Sequence, residues 1–404
     1  MRMKLNKKGQ LLLAATASLL ASGLVTACSQ FSDSLTADFV YVTSAKAAGP
    51  NDYGEVDVFE VNQESGHMRQ IPASPFPSGG RNPVASATSP DNNNLYVVNS
   101  DDNTIVQFVI GNDGKLYPQN TTNTPGVFPI AMTVKGSWLY VLDTYQPLPT
   151  CSTAAPCSGS LAIYPINKDG SLGPVVADSG VGGNYWPLIL PSNPTHVMTP
   201  TAITTAASGA YLYVTAYDTT TSGGYIFGFA VNSDGTLTAL NGGVPFAAGT
   251  QPSAVVSDPS GTHLYVTDYA KAHVLAYSIN SGMLTPVGGS PFPAGNQPMA
   301  IVLDATGAFA YVANSQDSNV TAYSVNNGTL SLLGTYATGT QPVALGIDPK
   351  LNQYLYTANF LGDTVSGFQL SATNGTLLIS QTSPFKANAQ PTSVAAIPHG
   401  GTKK

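Results

Sequence analysis

The sequence predicts an all-β fold, a seven-bladed β-propeller of four-stranded blades, and three observations carry the prediction. Four residue markers each recur seven times, in one order, along the 404 residues. The composition is turn-rich and charge-poor: 40 Gly, 30 Pro and 20 Tyr against 9% charged residues leave a β protein and exclude intrinsic disorder, a coiled coil and a basic nucleic-acid binder. The chain ends hold complementary parts of one repeat, so the array can close on itself.

Ahead of the repeats, Arg2, Lys4, Lys7 and Lys8 precede an apolar run, residues 11–27, that ends Val25-Thr26-Ala27-Cys28. Charged, apolar, small, cysteine is the order of an exported precursor, and it resembles a bacterial lipoprotein signal with its lipobox. The resemblance implies a signal peptide over residues 1–27, lipidation of Cys28 and attachment to a membrane of the cell envelope, with Ser29 pointing to the outer membrane. The plain alternative is an uncleaved anchor, for which the run is short of the roughly 20 apolar residues a spanning helix needs. Cleavage leaves 11 Lys and Arg against 22 Asp and Glu, a formal charge of −11. An acidic body of this kind repels nucleic acid and anionic head groups. Residues 28–38 read as a polar tether, residues 39–398 as the propeller and residues 399–404 as a tail.

The first marker is an apolar stretch centred on Tyr41, Tyr96, Tyr140, Tyr213, Tyr265, Tyr311 and Tyr356; a continuous apolar run suits a strand buried on both faces. The second is an aromatic with an aliphatic three residues before it, at Phe59, Phe108, Tyr164, Phe229, Tyr277, Tyr323 and Phe368, and its alternation suits a strand nearer the outside. The third is a turn glycine, Gly66, Gly114, Gly170, Gly235, Gly282, Gly328 or Gly375, where a missing Cβ permits positive φ. The fourth is a proline opening a small-residue strand: Pro83, Pro129, Pro200, Pro252, Pro298, Pro342 and Pro391. In order they give strand a after the proline, b at the tyrosine, c at the aromatic and d after the glycine. One such sheet cannot bury both faces alone, but seven stacked radially can. Tyr41 and Phe59 have no a strand before them, while residues 391–398 form an a strand with nothing after it, so the last segment completes the first blade.

Loop lengths separate the two faces of the disc. Proline to tyrosine (11 to 14 residues) and aromatic to glycine (5 to 7) stay uniform, whereas tyrosine to aromatic runs from 12 to 24 and glycine to proline from 14 to 30. The variable b–c and d–a loops leave the same face. Insertions of this kind are where repeat scaffolds place binding, although lengthening a surface loop costs only about 0.6 kcal/mol per doubling. The face carries Tyr145, Tyr185 and Trp186, with Tyr217, Asp218 and Tyr269 at strand ends. Aromatics beside prolines suit a sugar or peptide shelf by stacking; equally, they suit a cap over the third blade. Cys151 and Cys157 sit in a Pro-, Ser- and Thr-rich stretch, where an oxidising compartment favours a small disulfide loop. A metal site there lacks ligands.

Tyrosine-centred strands followed by Asn or Asp, with a downstream Gly-x-Leu turn, resemble the lactonase family of seven-bladed propellers and the related surface propellers named for a Tyr-Val-Thr-Asn repeat. Examples are Tyr311-Val312-Ala313-Asn314 and Gly328-Thr329-Leu330, and the resemblance covers roughly residues 39–398. It implies a fold shared by 6-phosphogluconolactonases, muconate cycloisomerases and envelope proteins without known chemistry. It also implies, for a lactonase, an Arg-His pair at the start of an a strand and a Glu just after a b strand. Here the a strands begin Gln251-Pro252, Gln297-Pro298, Gln341-Pro342 and Gln390-Pro391, and Ser100, Tyr269, Ser315 and Phe360 follow the b strands. Arg81-Asn82-Pro83 is the nearest relic.

Lactone opening needs an activated water and donors for the oxyanion. Arg81 is the candidate for the second role and His196, or a strand-end Asp, for the first. Asp143, Asp218 and Asp268 hold comparable strand-end posts; a ring of such oxygens suits calcium, but turn residues of this type more often satisfy backbone groups. The sequence therefore reads as a lipid-anchored, monomeric propeller without cofactor or metal that binds a carbohydrate, peptide or envelope partner through its insertion-rich face. A lactonase for an unphosphorylated lactone is the alternative, and a structural envelope scaffold the second.

Overall fold

The computed structural model describes residues 36–399 apart from 46–51, 179, 181 and 349–351; Cys28 with the rest of the signal segment, and residues 400–404, lie outside the described residues. Seven antiparallel sheets form seven blades. The innermost a strands are Pro391–Pro398, Pro83–Thr88, Val127–Lys135, Met198–Thr205, Pro252–Ser257, Pro298–Leu303 and Pro342–Ile347 for blades 1 to 7. Each packs against the next, and the ring closes where the first and last meet. Blade 1 takes its a strand from the C-terminus: Val40 pairs with Ala396 and Tyr41 with Ala395, which is the expected clasp.

The b strands are the buried layer, as at Asn94–Asn99, Phe309–Asn314 and Tyr354–Asn359, where every residue is enclosed. Seven hydrophobic clusters among the described residues each span two adjacent blades; one joins Tyr41 and Val56 of blade 1 to Val97 and Phe108 of blade 2. Burying a Val or Phe side chain contributes about 1.5–3 kcal/mol, so cohesion lies between blades.

Two of the markers meet across those junctions. A Cβ on the turn glycine of one blade would collide with the residue two before the b-strand tyrosine of the preceding blade: Gly114 with Phe39, Gly235 with Trp138, Gly375 with Phe309, and so around the ring. These glycines also have positive φ, 78° at Gly114, so both the turn and the close approach require glycine. In four junctions the tyrosine hydroxyl then donates to that glycine's carbonyl: Tyr41 to Gly114 (3.1 Å), Tyr96 to Gly170 (2.8 Å), Tyr213 to Gly282 (3.1 Å) and Tyr311 to Gly375 (3.0 Å). Second-marker tyrosines reach backwards, Tyr164 to the Asn123 carbonyl and Tyr323 to that of Pro293.

Two boundaries and the placement of one residue differ from the sequence expectation. The first strand, Thr36–Ser44, begins within the stretch read as tether, because Asp38 is buried between Val61 and Pro398 and accepts the Tyr356 hydroxyl at 3.0 Å. In blade 3 the d strand does not follow Gly170; Trp186–Pro187 supplies it after the insertion. Trp186, expected on the insertion face, is 5% exposed and belongs to the core between blades 3 and 4, so it is a cap residue and not a shelf. Cys151 and Cys157 form the expected disulfide, Cα atoms 5.5 Å apart.

Candidate functional site

Each a strand starts, and each b strand ends, at the insertion-rich mouth of the axial channel. The proline that marks the a strand pairs with a residue at the mouth end of the b strand of the same blade: Pro83 with Asn99, Pro129 with Asp143, Pro200 with Ala216, Pro252 with Asp268, Pro298 with Asn314 and Pro342 with Asn359. These strand-end residues are all buried, and two of them tie the neighbouring loops together. Asp268 accepts the N–H groups of Thr250 (2.8 Å), Gln251 (3.2 Å) and Ala270 (3.2 Å), and Tyr269 N–H in turn donates to the Gln251 carbonyl at 2.9 Å. Asn314 accepts Gly295 N–H at 3.1 Å. A turn-satisfying role thus occupies the Asp268 and Asn314 side chains, whereas both Asp143 carboxyl oxygens are buried without a hydrogen-bond partner among the described residues.

The register corrects one expectation. Asp218 is not equivalent to Asp143 and Asp268, since Ala216 takes that post in blade 4. The b strand there, Tyr211–Asp218, runs two residues further and pairs Tyr217 with Gly224 and with Thr199. Tyr217 and Tyr269 are therefore equivalent residues of neighbouring blades.

Both tyrosines line a cavity of about 450 Å³ at the channel mouth, bounded by the a-strand starts of blades 4 to 7. That volume lies in the range of small-molecule sites. The amides of Gln251 and Gln341 and the hydroxyls of Thr199 and Ser315 share the lining with them. Pro200, Pro252, Met299 and Val343 complete an apolar floor, and no lining residue is charged. The Gln341 Oε1 atom is buried without a hydrogen-bond partner among the described residues. The residue before the proline has positive φ at Asn82 (54°), Phe128 (55°), Gln297 (54°), Gln341 (58°) and Gln390 (62°). Such backbone is uncommon outside glycine and gathers at functional sites.

Beside the tyrosine wall, His196 Nδ1 lies 2.7 Å from Asp218 Oδ2. Burial acts to raise the Asp218 carboxyl, but hydrogen bonds from Thr221, His196 and Thr220 outweigh it and hold the group down to about 2. An ionised Asp218 accepts the Nδ1 proton, which leaves Nε2 as the basic nitrogen. Asp218 follows the pocket-lining Tyr217 and pairs with Met198, which precedes Thr199; neither Asp218 nor His196 itself lines the cavity.

Arg81 stands elsewhere, in the loop entering blade 2. Its Nε donates to Asp102 Oδ1 at 2.7 Å, its backbone N–H to Oδ2 at 2.7 Å, and its side chain is 50% exposed. The structure does not bring Arg81 and His196 together, because the guanidinium is spent on its own loop. Tyr145 packs edge-on against Phe128 with centroids 6.2 Å apart, and Tyr185 is half-buried in the blade 3 insertion; neither lines the cavity. Gln251 and Gln341 were visible as repeated Gln-Pro starts, yet they read as a lost Arg-His pair and not as ligands in their own right. Among the described residues no three metal-ligating side chains cluster.

The family profile described as lactonase, 7-bladed beta-propeller, matches residues 39–184 and 283–395. The intervening segment contributes Thr199, Tyr217, Gln251 and Tyr269 to the cavity. A Bacteroides uniformis structure described as a candidate 6-phosphogluconolactonase superposes with a TM-score of 0.69 at 19% identity, covering 89% of this chain and 99% of its own. The periplasmic gluconolactonase of Pseudomonas aeruginosa gives 0.67 at 18% identity over 89% and 99%. A Lactobacillus plantarum protein gives 0.65 at 18% over the same shares. At these identities the likeness concerns the fold. No curated protein sequence matches the chain.

Proposed function

The chain belongs to the lactonase family of seven-bladed β-propellers, and from that premise we propose that its axial pocket receives an uncharged, polyhydroxylated ring, a sugar or an unphosphorylated sugar lactone. The carrying observation is the lining: two tyrosines for stacking, neutral amides and hydroxyls for a ring's hydroxyl groups, and no cation for a phosphate. The described arginines are engaged, Arg69 with Glu60 and Arg81 with Asp102. The b–c loops around the mouth carry Asp101, Asp317 and Asp363 against one lysine among the described residues, Lys271, a balance that disfavours an anionic ligand. A binding module of the envelope, held by a lipid on Cys28, is consistent with this pocket. That location rests on the sequence of residues 1–28, and loss of radiolabelled palmitate incorporation in Cys28→Ser tests it.

Hydrolysis of the bound lactone is a second reading, favoured by the His196–Asp218 pair. Nε2 takes a proton from water as the hydroxide adds to the lactone carbonyl; the ring C–O bond then breaks, and the ring oxygen leaves with a proton returned by the imidazolium. Asp218 holds the imidazole in the tautomer this needs.

Proton release from D-glucono-1,5-lactone and its 6-phosphate, measured beside NMR titration with stable neutral sugars, tests both readings. Saturable binding of a neutral ring, weakened by Tyr269→Ala, supports the pocket. Turnover abolished by His196→Ala supports hydrolysis, and binding without turnover leaves a binding module. No saturable binding of any neutral ring, or preference for the phosphate ester, overturns the proposal.

A further inference from the structure

The insertion face holds a second hollow. A cavity of about 220 Å³ opens between blades 5 and 6 and shares Gln251 and Tyr269 with the axial pocket. The wall between the two spaces is thus one tyrosine and one amide. Its other polar groups are Asn296, Gln297 and Gln316, and again none is charged.

These amides are held ready by their own loops. Asn296 donates its Nδ2 to Asp317 Oδ1 at 2.9 Å and its N–H to Oδ2 at 2.7 Å, which leaves Oδ1 as a free acceptor. Gln297 has φ 54° and receives Ser315 N–H on its carbonyl at 2.9 Å. The side-chain amides of Gln251, Gln297 and Gln316 have no hydrogen bond among the described residues. A primary amide carries both donors and an acceptor, so it can bridge neighbouring hydroxyls on a ring. Clustered amides with no charged residue in the lining suit a second neutral sugar.

We propose that the side hollow is a second subsite, so that the ligand is a disaccharide or longer neutral saccharide whose two rings lie on either side of Tyr269. The inference rests on the reading of the axial pocket as a site for one neutral ring. Gln251 then touches both rings, Tyr217 and Gln341 only the first, and Gln297 and Gln316 only the second.

The test is calorimetric titration of the purified full chain with methyl β-D-glucopyranoside and methyl β-D-cellobioside, and with the matching galactose and mannose pairs. At least one disaccharide is expected to bind ten-fold or more tightly than its monosaccharide. Gln316→Ala should remove most of that gain and leave the monosaccharide affinity within two-fold. Ala270→Trp fills the side hollow from an exposed position outside the axial pocket, and should do the same by bulk. Monosaccharide binding with no gain in any pair overturns the subsite and spares the axial pocket. A gain that survives both Gln316→Ala and Ala270→Trp also overturns it. Absence of binding by every sugar removes the axial reading and the subsite with it.

Discussion

Replacing Tyr96 by Phe deletes one oxygen from a fully buried side chain whose hydroxyl donates to the Gly170 carbonyl of the next blade at 2.8 Å. The ring remains and the volume hardly changes, so the effect isolates the bond. A buried carbonyl stripped of its donor costs about 1–3 kcal/mol. Tyr265 is its internal control: it occupies the same post in blade 5 and is equally buried, but its hydroxyl has no partner among the described residues. Removing an unsatisfied buried hydroxyl is neutral or stabilising, by up to about 1–2 kcal/mol. Two chemically identical substitutions should therefore differ by roughly 1–5 kcal/mol in the same protein. Equilibrium urea unfolding followed by circular dichroism and tyrosine fluorescence gives the comparison, with unchanged slope as the condition for reading midpoints as stability. If Tyr96→Phe is no more destabilising than Tyr265→Phe, the tyrosine-to-glycine bond is not what couples the blades.

Three further outcomes follow from buried groups and loops. Burial pushes the Asp143 carboxyl up to about 8, the nearby Thr124 hydroxyl and Gly126 N–H pulling only partly the other way. Its folded pKa exceeds the unfolded one, so its stabilising share is complete below about pH 4 and is lost as pH rises toward about 8, at about 1.4 kcal/mol per unit. Urea midpoints at pH 5, 7 and 9 should fall less steeply in Asp143→Asn, with a residual slope from Asp38, which burial and the Asp348 carboxylate also raise to about 8. Asp268→Ala should abolish ligand binding by releasing the loops that carry Gln251 and Tyr269, while Asp268→Asn, keeping one acceptor, should weaken it less; titration against the unchanged circular dichroism of the blades separates this from unfolding. Thiol titration of the denatured, unreduced protein should find neither Cys151 nor Cys157, and replacing both by Ser should cost about 2 kcal/mol for so short a loop, visible as a lower urea midpoint.

The blades were legible because each of their rules is written seven times. A tyrosine strand, a turn glycine and an opening proline return at fixed spacing, and each copy corrects a doubtful neighbour. What spacing cannot give is the register between blades. Nothing local to Gly114 says that Phe39 will press on it, or that Tyr41 will bond its carbonyl, because those residues lie 75 and 73 positions away and meet only when the ring closes. The same blindness misplaced Trp186. Its neighbours Leu188 and Leu190 are buried with it, and that apolar run was a signal that the insertion returns to the core.

The site was less legible for a related physical reason: it lies where the repeat is broken. Five blades place a left-handed residue before the opening proline; Thr199 of blade 4 and Gln251 of blade 5 are the exceptions, and the two tyrosines of the pocket wall lie at the mouth ends of the b strands of those same blades. Blade 4 also replaces the strand-end polar residue by Ala216 and extends its hairpin by two residues, which puts Asp218 beyond the ring of buried strand ends and within reach of His196. A reading guided by repetition treats Asp218 as one more member of that ring, and it treats Gln251 as one more Gln-Pro start. Each departure is slight in sequence, one alanine or one backbone angle, yet it decides which side chains face the channel. In a ring of near-identical blades, then, symmetry specifies the scaffold, and a ligand that is not itself seven-fold symmetric has to be met where symmetry fails. Restoring the repeat at one such place, by Ala216→Asn with residues 217–218 and 223–224 deleted, should leave the blades folded and abolish ligand binding; retained binding would show that the pocket does not depend on the break.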